Sequence, residues 1–101
     1  MSIIAPVVGI NIYSVPKGNE EQFIRWWYDM RERLIRGRGF VAGHLHRNLD
    51  KDAPFNFINV AEWENELYSS LYEENAAQMK VEVSQFGAEM TPGLFAVVSN
   101  Y

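Results

Sequence analysis

Residues 56–65, NFINVAEWEN, alternate as a strand that is apolar on both of its faces. Phe57, Asn59, Ala61 and Trp63 share one face; Ile58 and Val60 lie on the other. Neither set suits water, so the strand belongs in the middle of a sheet with a layer against each side. Asn59 then stands between two large aromatics, where an amide must find a hydrogen-bonding partner or cost stability. In 101 residues, few architectures supply two covering layers.

The flanking pattern narrows the choice. Residues 7–15, VVGINIYSV, predict a first strand, and Pro16-Lys17-Gly18 a turn. Asn19 with Glu20 and Glu21 opens a helix, in which Phe23, Trp27, Met30 and Leu34 recur at helical spacing. Gly37-Arg38-Gly39 ends it. Residues 40–47 form a second strand, 49–54 a polar turn, and 56–65 the third strand at hairpin distance. A helix is expected from near Asn65, with a break around Asn75. A second short helix then carries Met79, Val83, Phe86 and Met90. Thr91-Pro92-Gly93 is read as its stop, and 94–101 as the last strand.

This order is β-α-β-β-α-β, an α+β chain of the ferredoxin-like kind with an antiparallel sheet, in one domain over 1–101. The first and third strands are expected side by side and parallel in the sheet centre, with both helices on one face. Ile10, Ile12, Ile58 and Val60 are left on the other, and a second copy of the chain is the economical cover. Asn11 and Tyr13 of the first strand fall beside Asn59 beneath the helices. With Phe57, Trp63 and Trp27 they outline a mostly apolar pocket with converging polar groups, the usual form of a small-molecule site.

Composition removes other classes. A formal charge of −4 argues against a nucleic-acid binder. Without cysteine there is no disulfide, thiolate metal site or cysteine nucleophile, and a reducing compartment suits the chain. MSIIAPVVGI lacks a basic leader and is too short to span a bilayer, so a cytoplasmic protein off the membrane is expected. His44 and His46, at i and i+2, could chelate a metal, but no third ligand is evident and no metal is expected. Each imidazole could act as a base or pack at the surface or a dimer interface. Arg31, Arg33, Arg36 and Arg38 read as a solvated basic run that complements the helix end, with an anion site as the alternative.

The run GFVAGHLHRNLDKDAPFNFINVAEWENE, 39–66, resembles the antibiotic biosynthesis monooxygenase family. The likeness rests on Gly-Phe opening the second strand, an L-H-R element, a polar turn and a third strand ending in N-x-A-x-W. It implies a dimeric α+β barrel with one pocket per subunit. Catalytic members are cofactor-independent oxygenases that use O₂ on phenols, quinols and anthrones. Their Asn and Trp line the site, and by position these are Asn59 and Trp63. Tyrosines near the substrate point to Tyr68 and Tyr72, whereas the family's downstream Arg has no counterpart, since no Arg follows Arg47. Asn59 would hydrogen-bond an enolate or developing peroxide, and Trp63 would stack on the ring. One alternative is a pocket protein of the same fold without oxygenase chemistry, such as a cyclase, an isomerase or a ligand-binding dimer. A haem-binding branch shares an Asn at the position of Asn11, but it needs an axial His where this chain offers Tyr72 and Glu82.

Overall fold

A computed structural model describes residues 7–64 and 69–101. Strand β1 (Val7–Ser14) leads through a 3₁₀ turn (Lys17–Asn19) into helix α1 (Glu20–Ile35). Strands β2 (Phe40–Arg47) and β3 (Phe57–Trp63), helix α2 (Ser69–Ser84) and strand β4 (Glu89–Phe95) follow. The sheet order is β2-β3-β1-β4, antiparallel throughout, as the ferredoxin-like reading requires. Among the described residues no helix is long and apolar enough to cross a membrane.

Three expectations are corrected. The central pair β1–β3 is antiparallel, not parallel. A helical crossover makes β2 parallel to β1, and a hairpin makes β3 antiparallel to β2, so β3 between them opposes both. Second, α2 runs through Asn75 without interruption. Asn75 lies on its exposed side, while Ala76, Met79 and Val83 keep one buried stripe at spacings of three and four. The expected start near Asn65 lies outside the described residues.

Third, Met90 and Thr91-Pro92-Gly93 belong to β4, which ends at Phe95. The turn that follows α2 reaches Gly87, whose φ of 79° suits glycine. A Cβ there would also stand 3.2 Å from Pro16. Pro92 is tolerated because β4 is an edge strand paired only with β1. Residues 96–101 continue beyond it, exposed.

The alternation of β1 and β3 sets the layers. Asn11, Tyr13, Phe57, Asn59, Ala61 and Trp63 are buried beneath the helices, while Ile10, Ile12, Ile58 and Val60 are only half-buried on the opposite face. The tightest packing centres on Phe23 of α1. Its ring lies 4.6 Å from Phe57 and 4.8 Å from Tyr13, centroid to centroid, with Trp26 at 5.7 Å. Two side-chain amides tie the ends of this core. Asn19 Nδ2 donates to the Phe86 carbonyl at 2.7 Å. Asn56 accepts from Val15 N–H and donates to the Val15 carbonyl and Glu20 Oε1.

Candidate functional site

One cross-strand row beyond the Phe57–Tyr13 pair, the side chains shrink. Asn59 pairs with Asn11 on one side and Leu45 on the other; Ala61 pairs with Gly9 and Gly43. A floor of Gly and Ala cannot reach the helix above it. The result is a cavity of about 510 Å³ between β2–β3 and α1, floored in part by Gly43, Asn59 and Ala61. Its roof is one stripe of α1: Ile24, Trp27, Tyr28, Arg31, Leu34 and Ile35. Phe40 and Leu45 close the β2 side. Volume and lining both suit a small molecule.

Asn59 is the chemically distinctive wall of this space. It is 3% exposed, and no hydrogen bond joins its side chain to another described residue. Its amide borders the cavity, where a ligand's polar group can reach it. Trp27, expected in the pocket, lines it.

Trp63 does not share this cavity. Its ring packs edge-on to Phe40 at 5.5 Å and lies so close to Gly37 that a Cβ there would sit 3.2 Å away. Trp63 instead borders a separate cavity of about 70 Å³ with Met30, Arg33, Leu34, Gly37, Asn75 and Gln78. Its Nε1 is buried without a hydrogen-bond partner among the described residues. Leu34 borders both spaces. The Asn–Trp pairing expected at one site is therefore divided between two adjoining ones.

Tyr13 and Phe57 are core residues, at 0% and 1% exposure, and neither lines the larger cavity. Arg47 stacks over the Phe57 ring, 4.9 Å from its centroid, and its Nη1 bonds Glu20 at 2.9 Å. Asn11 is buried next to Asn59 without reaching the cavity. His44 touches the cavity's edge. Its pairing with Val60, and the 6.0 Å between its ring and that of His46, put both imidazoles on the open face of the sheet. Tyr68 lies outside the described residues, and so does the side chain of Tyr72. Among the described residues no group of three or more His, Asp or Glu could hold a metal.

Sequence reasoning missed most of the roof. Tyr28, Leu34 and Ile35 belong to the apolar stripe of α1, and Arg31 completes it by helical spacing despite its charge. Within the basic run the structure separates roles. Arg33 Nη2 bonds Glu82 Oε1 at 2.8 Å, while Trp26 Nε1 and Gln78 Nε2 donate to the same carboxylate at 2.8 and 3.0 Å. These donors, Arg33 foremost, hold the Glu82 pKa at about 2 against the opposing effect of burial. Arg33 is raised in turn by Glu82. Among the described residues Arg31 makes only a 3.5 Å contact, with its neighbour Glu32, both half-exposed.

A small α+β layer with an apolar pocket between helix and sheet, and a buried amide at its floor, is an arrangement that suits a small-molecule ligand. The family model for antibiotic biosynthesis monooxygenases matches residues 6–67, and the chain belongs to that family. It is also similar to a crystal structure, at 1.26 Å resolution, of a candidate monooxygenase from Shewanella loihica PV-4. The two share 30% identity over 98% of this chain and 100% of the other, with a TM-score of 0.76. No protein of curated function matches it significantly.

Proposed function

We propose that the chain is a single-domain, cytoplasmic, homodimeric monooxygenase that needs no cofactor and oxidises a phenolic, quinol- or anthrone-like substrate with O₂. The observation that carries this reading is Asn59: a buried amide without a side-chain hydrogen bond among the described residues, in the wall of an otherwise largely apolar cavity. An aromatic ligand lies between Trp27 and the Ala61–Gly43 floor with its oxygen toward Asn59. The ligand reacts as its enolate or phenolate. It passes one electron to O₂, and the resulting radical pair combines to a C–O bond, giving a hydroperoxide. The proton lost on forming the enolate or phenolate returns to the peroxide, and loss of water then leaves a carbonyl. One oxygen atom stays in the product, and the other departs as water with two substrate hydrogens: both from the CH₂ of an anthrone, or one from the ring carbon and one from the hydroxyl of a phenol. Asn59 N–H stabilises the enolate oxygen or the peroxide as charge develops. Low polarity around it strengthens that hydrogen bond.

The half-buried Ile10, Ile12, Ile58 and Val60 support the homodimer, in which two such sheet faces cover each other. A solution mass near 11.7 kDa, rather than twice that, sinks this part of the reading. For the reaction, oxygen uptake is measured with a panel of hydroquinones and anthrones in metal-free buffer. Uptake that Asn59→Ala abolishes is expected; none across the panel, or uptake indifferent to Asn59→Ala, overturns oxygenation. A second reading, a ligand-binding or isomerising protein of the same fold, is favoured by one observation. Among the described residues no carboxylate lines the cavity, and both imidazoles extend on the other face of the sheet.

A further inference from the structure

Two of the polar residues that line the larger cavity, Asn59 and Arg31, differ in kind. Asn59 at the floor is neutral and 3% exposed. Arg31 on the α1 roof has a side chain 53% exposed, which puts it at the mouth. Among the described residues no Asp or Glu lines the space. Arg33 and Arg47 are engaged elsewhere: Arg33 with Glu82, and Arg47 with Glu20 and the Phe57 ring. Among the described residues Arg31 has only the long contact to Glu32, one residue along the chain, a geometry that contributes little in water. Tyr28, a turn away on the same helix face and 60% exposed, adds a ring at the rim.

We propose that the cavity selects aromatic ligands carrying a carboxylate, which Arg31 holds at the mouth while the rings fill the apolar interior. This rests on taking the cavity as the ligand site, but not on any oxygenation there. Guanidinium presents a planar fork that matches a carboxylate with two parallel N–H···O bonds, which favours a carboxylate over a lone hydroxyl. A ligand bound this way is oriented, with the charged end outward and the opposite end toward Asn59. Glu32 competes for the same guanidinium, so its removal strengthens the preference for acids.

The test is a calorimetric titration with two ligands of one shape, 2-naphthoate and 2-naphthalenemethanol. The wild-type chain is expected to bind the acid about fivefold more tightly, the scale of a half-exposed ion pair. Arg31→Gln brings the ratio to about one without weakening the alcohol, Glu32→Gln raises it, and Arg36→Gln, on the same basic run, leaves it unchanged. Equal affinities in the wild type overturn the proposal, as does a preference that survives Arg31→Gln or binding of neither compound. Oxygen uptake is scored separately: acid preference without uptake leaves this inference standing and removes oxygenation.

Discussion

Phe57 and Asn59 stand two residues apart on one face of one strand, yet the space above them is used in opposite ways. Above Phe57 the α1 helix sends down Phe23, and Tyr13 and Trp26 close around it with ring centroids 4.6–6.1 Å apart. Above Asn59 and Ala61 the same helix spans a cavity of about 510 Å³. The difference lies in the cross-strand rows. Tyr13–Phe57–Arg47 is bulky, whereas Gly9–Ala61–Gly43 is nearly bare. Stability and ligand room are thus assigned to separate rows of the same sheet, and a substitution in one is expected to spare the other.

Phe23→Ala makes the largest break. Truncating a fully buried ring at the centre of the filled row costs about 3–5 kcal/mol, a large share of a small domain's stability. The urea midpoint should fall accordingly; a cost under about 1 kcal/mol would mean that the two rows do not differ as described. Asn59→Ala tests the other row. It removes no hydrogen bond within the described protein, so the midpoint should move by no more than about 0.5 kcal/mol. Turnover on an accepted quinol should fall about 10²–10³-fold if the amide supports developing charge. Ala61→Leu comes next. With open space above it, the added side chain should fold at a cost below about 1.5 kcal/mol and reduce affinity for 2-naphthoate at least about tenfold, about 1.4 kcal/mol. Unchanged affinity in a folded Ala61→Leu chain would remove the ligand from this cavity.

Much of this contrast could be read in advance along β1 and β3, because a strand's period of two is local. The alternation of NFINVAEWEN already assigned Phe57 and Asn59 to the helix side, and that of β1 placed Asn11 and Tyr13 with them. What escaped was set by pairing. The cavity floor depends on Gly43 meeting Ala61, a register reached only after the irregularity between Phe40 and Ala42. Trp63 shares a face with Asn59, but it stands at the strand's end. There Gly37, just past α1, admits its ring into a different space. Met90 fitted a helical period as well as a strand's, and Pro92 reads as a stop unless the strand is known to be an edge. Arg31 looked like its basic neighbours because charge patterning does not reveal which cation already has a carboxylate.

The smallest effect concerns the seam between the helices on the filled side. Glu82 receives hydrogen bonds from Arg33, Trp26 and Gln78, and Trp26 in turn packs on Phe23 and Phe86. Its pKa is lowered from 4.5 to about 2 in the folded chain. On acidification the unfolded chain therefore binds this proton first. The contribution is complete above pH 4.5, declines as the pH falls, and is lost through pH 2. Because Arg33 is half-exposed, solvent screening holds it to about 1 kcal/mol. Chemical denaturation from pH 6 down to pH 2 should thus show the wild type losing about that much more stability than Glu82→Gln, and 1 M salt should narrow the gap. The clamp borders neither Asn59 nor the larger cavity, so Glu82→Gln at pH 7 should bind 2-naphthoate as the wild type does. A parallel loss of affinity would show that the filled and open rows are coupled through α1, and the division between them would have to be redrawn.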